Sequence, residues 1–410
     1  MPPKQILVLG GGFAGLWSAV GAARKLDELG YGRDVAEVTL VNRDEYHSIR
    51  VRNYEADLSA VRLPLADVLE PIDVERVIGS VVSLDLQGRR VEVESDAGQQ
   101  TLGYDRLVFA LGSQLVRPPL PGLAEYAFDV DTYGGAERLA THLQSLTTMR
   151  DSPGRWTVLI IGAGLTGIET AAEMPGRLRS LQAQAGIDKP PRVILADRDP
   201  LVGSDMGNSA RPVIEEALSS LGVELRMAVD VASVGEHGVT LVTGERIDAA
   251  TVIWCAGMRA NPLAAAFPVE HDRFGRVAVD EFLRVVGLPE VFAAGDVAAA
   301  RIEGQHSSVM SCQHGRPMGR FAGHNVVCDL FGLPMLPLSI DWYVTVLDLG
   351  PWGAVYTNGW DRHVVAQGAA AKKTKQTINF QRIYPPRDRN RTEILATAAP
   401  IVQAPPGYQG

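Results

Sequence analysis

Two glycine clusters are the residues whose spacing most plainly suits chemistry. Gly10-Gly11-Gly12-Phe13-Ala14-Gly15 and Gly162-Ala163-Gly164-Leu165-Thr166-Gly167 both match G-x-G-x-x-G. The first glycine of such a run permits a tight turn, the second lets backbone approach a pyrophosphate, and the third lets a helix pack close on a strand. Free N–H groups and the positive end of that helix then face the phosphates. Glu169 follows the second cluster by two residues, and Gln313 and His314 stand side by side much later. A carboxylate, an amide and an imidazole are groups that orient a ligand, and the imidazole can carry a proton near neutral pH.

Each cluster sits between an apolar strand and a helical pattern, the context a dinucleotide site needs. In the first copy, residues 5–9 are a strand, 16–29 a helix and 38–41 a strand ending at Asn42. A hairpin follows at 90–94 and 100–102 around Asp96-Ala97-Gly98, and the unit closes at 106–112 with Ala110 and Gly112. The second copy repeats this order: strand 158–161, helix from 168, strand 193–196 ending at Asp197, and a hairpin near 239–247. It closes at 251–257 with Ala256 and Gly257, and 175–189 reads as an insertion. The repeat predicts an α/β chain of two Rossmann-type dinucleotide-binding domains, one inserted in the other. The first spans 1–118 and 276–332, the second 119–275, and 333–410 is a C-terminal α+β region with strands near 343–347 and 354–356.

The strand-end residues bear on which dinucleotide goes where. Asp197 can accept from both ribose hydroxyls and would repel a 2′-phosphate, so NADH is expected over NADPH. Arg198 softens that preference, and a plain loop-capping role for Asp197 is the competing account. Asn42 offers the same contact without charge.

The formal charge of -9 argues against nucleic acid as a partner. With 46% hydrophobic and 21% charged residues, the 410-residue chain has the composition of a globular enzyme and the length of more than one domain. Cys255, Cys312 and Cys328 form no C-x-x-C pair, so a disulfide framework is not expected and a local dithiol is not available to receive electrons. No metal site, secretory signal or run of about 18 apolar residues is read. The expected location is the cytoplasm, with peripheral contact at the inner face of a membrane and a homodimer both left open.

These stretches resemble the pyridine nucleotide-disulfide oxidoreductase superfamily, and within it the type II NADH dehydrogenases, over roughly residues 5–330. The resemblance rests on the two glycine clusters, Val38 to Arg43 with His47, Tyr104-Asp105-Arg106-Leu107-Val108 with Gly112-Ser113, and Gly167-Ile168-Glu169 with Glu173. Its most specific part is Trp254-Cys255-Ala256-Gly257-Met258-Arg259-Ala260-Asn261-Pro262. The resemblance implies FAD on the first copy, with Gly10, Gly12, Phe13, Ala14, Gly15, Asn42, Arg43, Val81, Ala110 and Gly112 around it. Ala294-Gly295-Asp296 would return to the same domain, with Gly295 and Asp296 at the ribityl and pyrophosphate region. NADH would take Gly162, Gly164, Leu165, Thr166, Gly167, Glu169, Asp197, Ala256 and Gly257.

Such a protein passes hydride from NADH to FAD and then electrons to a quinone or quinone-like acceptor. The resemblance implies that Glu169 sits near the nicotinamide–flavin junction, where it is expected to help position nicotinamide and influence flavin electrostatics; a carboxylate serving the helix dipole is the competing account. Gln313 is expected at the flavin edge or acceptor. His314 is read as a proton donor or as a locally bonded histidine. The family's quinone-site helix carries more glutamines than 308–315 does here, so the acceptor is where this chain departs most. Met310 and Cys312 are read as packing residues. Lys372, Lys373 and Lys375 are read as a solvated face or a contact for anionic lipid, and Arg50 and Arg52 are given no role. Two alternatives remain at this level: a reductase of a small ferredoxin- or rubredoxin-type protein, and an NADH-sensing flavoprotein with little turnover. Sulfide:quinone chemistry is weaker still, for want of paired cysteines.

Overall fold

A computed structural model describes residues 2–407. The apolar run Lys4–Leu9 becomes the central strand of a five-stranded parallel sheet. The order across it is Val291–Ala293, Arg106–Phe109, Lys4–Leu9, Ala36–Asn42, Glu75–Ile78. Ile6, Leu7, Val8 and Leu9 are all at most 2% exposed, as expected for a parallel strand covered on both faces. The second copy builds a second parallel sheet, ordered Ala127–Phe128, Thr251–Trp254, Thr157–Ile161, Arg192–Ala196, Val223–Arg226. The fold is therefore α/β with two Rossmann-type sheets, and the chain returns to the first sheet at Val291–Ala293.

The two passages between the sheets are tied to each other. Ser113–Leu115 pairs antiparallel with Met258–Ala260. Both hairpins form, as Arg90–Ser95 with Gly98–Gly103 and as Gly238–Leu241 with Arg246–Asp248. The segment 175–189 is not a separate insertion over its first ten residues: one helix, Leu165–Gln184, continues through Pro175 and ends at Gln184. Pro175 and its neighbour Met174 are buried, so packing holds a residue that lacks the N–H donor of the helical ladder.

A stripe of glycines seats helix Cys312–Leu330 on helix Phe13–Glu28. A Cβ at Gly319 would stand 2.3 Å from the Ala14 carbonyl oxygen, and one at Gly323 2.2 Å from that of Ser18. The helices thus meet backbone to backbone, and their N-termini lie together at one edge of the first sheet.

The C-terminal region is a three-stranded antiparallel sheet, Val344–Asp348, Ala354–Asn358 and His363–Gln367, followed by helix Gly368–Thr377. Its first two strands are those expected, joined through Gly350, Pro351 and Gly353. No helix among the described residues is long and apolar enough to cross a membrane.

Candidate active site

The two glycine loops have the same construction. Gly10 and Gly162 have φ of +101° and +109°, the region that favours glycine. A Cβ at Gly10 would stand 2.5 Å from the Ala110 carbonyl oxygen, and one at Gly162 2.8 Å from the Ala256 nitrogen. A Cβ at Gly15 or Gly167 would come within 1.7 Å of the carbonyl oxygen of Gly10 or Gly162. Gly12 and Gly164 differ from these, since a Cβ there would meet nothing within 4 Å. Both cap their helices with no side-chain hydrogen bond, leaving the first-turn N–H groups of Phe13, Ala14, Leu165 and Thr166 for a ligand. Two open cradles with free donors fit two pyrophosphates.

Asn42 and Asp197 hold these loops. Asn42 Oδ1 accepts from the Gly11 N–H at 2.9 Å, and Asp197 Oδ2 accepts from the Ala163 N–H at 2.5 Å. Asp197 Oδ1 accepts from the Asp199 N–H. The loop-capping account of Asp197 is thus part of its geometry. Arg43 is largely exposed beside Asp44, and Val81 is half-buried in strand Ser80–Asp85. Phe13 meets His47 edge-on, with ring centroids 5.2 Å apart. His47 Nδ1 donates to the Gly11 carbonyl at 2.8 Å, and burial pushes its pKa down to about 4, so the ring is neutral.

Asp296 lies beyond these loops, next to Gly295, whose φ is +77°. Ser113 Oγ donates to Asp296 at 2.5 Å, and burial raises the Asp296 carboxyl above its ordinary range. Gly112 has φ +70° and Gly257 φ +81°, one at each passage between the sheets. Arg50 donates to the Ser113 carbonyl and hydroxyl and pairs with Asp131. It therefore braces these passages. Arg52 pairs with Glu55 at 2.6 Å and bonds Tyr384 of the C-terminal region.

Glu169 is buried in the first turns of the second Rossmann helix. Its Oε1 lies 2.7 Å from Lys375 Nζ and accepts from the Asp348 N–H at 3.1 Å. Burial raises the Glu169 carboxyl against the pull of Lys375, while nearby Asp348 adds to the rise. Burial works against the charge on Lys375, but Glu169 and Asp348 outweigh it and raise its pKa, so the ammonium stays protonated. Lys372 pairs with Asp348 at 2.5 Å. This corrects the solvated or lipid-facing account for two of the three lysines: Lys375 is buried and Lys372 is committed, because helix Gly368–Thr377 turns that face inward, while Lys373 is exposed.

A cavity of about 200 Å³ opens between these parts, with Leu165, Cys312, Gln313, Val344, Val346 and Lys375 in its wall. Gln313 lines this cavity, and Cys312 lines it as well as packing. Met310 packs against the first core. His314 departs from the proton-donor expectation. Its Nδ1 accepts the Val309 N–H at 2.8 Å, it is fully buried, and burial lowers its pKa to about 4. It forms no part of the cavity wall among the described residues. The locally bonded histidine is the form that this geometry gives.

The paired glycine cradles, with the chain returning to the first sheet, match a family model, pyridine nucleotide-disulphide oxidoreductase, over residues 4–319. The chain belongs to this family. It is 59% identical over 402 residues to an NADH dehydrogenase-like protein of Mycobacterium tuberculosis, covering 98% of this chain and 100% of the relative. It is 28% identical over 321 residues to a type II NADH:quinone oxidoreductase of Staphylococcus epidermidis, covering 72% of this chain and 75% of the relative. The structure of NDH2 from Plasmodium falciparum, in complex with NADH, superposes with a TM-score of 0.76 at 13% identity, covering 96% of this chain and 97% of that one. At that identity the likeness is one of fold. The chain is therefore an oxidoreductase of the pyridine nucleotide-disulphide family.

Sequence reasoning missed Lys375 as a site residue, the bracing by Arg50, and the arginines Arg316 and Arg320. The last pair carried a usable signal: two arginines four apart lie on one face of a helix whose other face is glycine.

Proposed function

We propose that this protein oxidises NADH through FAD and delivers the electrons to a quinone or quinone-like acceptor in the cavity beside Gln313. The observation that carries this is the joint wall. Leu165 of the second glycine cluster, Gln313 at the N-terminus of helix Cys312–Leu330 and Lys375 of the C-terminal region all line one space. That space touches both dinucleotide units and is walled largely by Val51, Val344, Val346, Ile378 and Ile383, which suits an apolar ring.

Bound FAD supplies the two-electron chemistry. The chain's residues do the rest. The N–H groups after Gly12 and Gly164 hold the two pyrophosphates, and Asp197 selects NADH by repelling a 2′-phosphate. A quinone that gains two electrons must also gain two protons. Lys375 Nζ is a protonated donor in the cavity wall that can supply one of them, Glu169 Oε1 at 2.7 Å stabilises its ammonium, and the second proton and the one that restores Lys375 come from solvent. Gln313 orients the acceptor or the flavin edge through its amide.

Turnover of purified flavin-loaded protein with NADH should be at least tenfold faster with a neutral short-chain quinone than with oxygen alone. Equal rates would remove the quinone from this account and leave the acceptor among other oxidants.

A further inference from the structure

The cavity also suits a negative charge. Arg316, Arg320, Arg382 and Lys375 line it, and no Asp or Glu does. The contrast is with the chain as a whole, whose formal charge is -9. Lys375 is committed to Glu169 and Arg382 donates to the Ala404 carbonyl. Arg316 and Arg320 are committed to nothing polar.

Arg316 is 8% exposed and Arg320 2%. Arg316 Nε, Arg320 Nε and one terminal nitrogen of Arg320 are buried without a hydrogen-bond partner. Their contacts are with the face of Trp17, 5.4 and 4.7 Å from the ring centroid. A cation–π contact offsets only a small part of what a buried charge left unpaired costs. Burial lowers their pKa values to about 10 and about 9, so both still carry charge at neutral pH. Buried polar groups without partners call for an explanation, and an ion or ligand that belongs there is the simplest one.

The pyrophosphate is not that ligand, because it has its own cradle at the glycine loop. Arg320 stands eight residues into helix Cys312–Leu330, about 12 Å from the end that faces the flavin at 1.5 Å per residue. Arg316 is about 6 Å in. An anion there therefore belongs to a molecule whose other end reaches Gln313.

We propose that the cavity takes an acidic aromatic acceptor, a quinone bearing a carboxylate or sulfonate, with its ring between Gln313 and the Val344–Val346 wall and its anionic group on Arg316 and Arg320. The planar forks of two arginines suit the paired oxygens of such a group. This deepens the quinone proposal and rests on it.

The probes are 1,4-naphthoquinone-2-sulfonate and neutral 1,4-naphthoquinone, used with flavin-loaded protein. Binding to the oxidised protein is read by quenching of tryptophan fluorescence, since Trp342 lines the cavity. Reduction is read as kcat/KM. The wild type should bind the sulfonate at least tenfold more tightly than the neutral ring. Arg320→Gln and Arg316→Gln should each cut the sulfonate-to-neutral ratio tenfold or more, in binding and in kcat/KM, and Arg320→Lys should restore part of it. A wild-type ratio near one, or a ratio unmoved by both glutamine variants, overturns the anion site. Loss of flavin from these variants overturns it too, by assigning the arginines to the cofactor. Arginine-dependent binding of the sulfonate while neither quinone is reduced would uphold the anion site and sink the quinone reading instead.

Discussion

Asp197 and Asn42 occupy the same place and carry different charge. Each accepts an N–H from the second residue of its glycine loop, Ala163 or Gly11. The acid that ends strand Arg192–Ala196 was legible in the sequence because it follows the apolar run directly, but its bond to the loop was not. In the proposed site the Asp197 carboxylate presents negative charge to the ribose, so kcat/KM should favour NADH over NADPH by tenfold or more. Asp197→Ser should narrow that gap, and a wild type that prefers NADPH would refute the assignment. Lys375 was misread for a different reason: Lys-Lys-x-Lys on a polar helix resembles a solvated face, and its partner Glu169 lies 206 residues away. Removing one member of a buried pair strands the other, at about 3–5 kcal/mol. Lys375→Met should therefore lower thermal stability strongly. Glu169→Gln keeps an amide oxygen that can accept from Lys375 Nζ, which also donates to the Val346 carbonyl, so it should lower it less while slowing flavin reoxidation by quinone. A Glu169→Gln protein with unaltered half-reactions would reduce the pair to a structural tie.

At the scale of elements, the strands were the most legible part. Runs such as Ile6 to Leu9 and Val158 to Ile161 are buried on both faces, and a continuous apolar stretch between turn signals announces that. The order of strands across each sheet was not written in any local pattern, nor was the course of helix Leu165–Gln184 through Pro175. There, burial against neighbours overrides the intrinsic penalty of proline in a helix. Glycine spacing was read correctly at the two loops and overlooked at Gly315, Gly319 and Gly323. Gly319→Ala must push a methyl toward the Ala14 carbonyl, 2.3 Å away. Overpacking of that kind costs about 1–3 kcal/mol and should appear as a lower Tm with weaker FAD retention. Gly167→Ala places its methyl 1.7 Å from the Gly162 carbonyl and should abolish bleaching of the flavin by NADH while flavin stays bound. Normal bleaching in that variant would show that the second loop does not hold the nucleotide.

For the whole molecule, buried neutral histidines contribute to the acid limit. His47 and His314 are both lowered from 6.5 to about 4 by burial. The unfolded chain therefore binds more protons than the folded one between those values. The stability they permit is present above pH 6.5 and is lost as pH falls toward 4, by about 3 kcal/mol for each ring. Denaturant titrations should show this decline, and His47→Gln should flatten it; an identical decline in the variant would exclude His47 as a source. The chain's architecture was readable from its repeat, since two copies of one motif in matching frames require two sheets. The acceptor was not, because the cavity wall is assembled from segments as distant as Leu165, Gln313 and Lys375. The central claim is that electrons pass from NADH through a flavin in the first unit to a quinone. It is tested most directly by anaerobic stopped-flow absorbance at the flavin band, mixing with NADH and then with a short-chain quinone. The account predicts rapid bleaching followed by rapid recovery. Bleaching without recovery would contradict the quinone step, and no bleaching with NADH or NADPH would contradict the whole assignment.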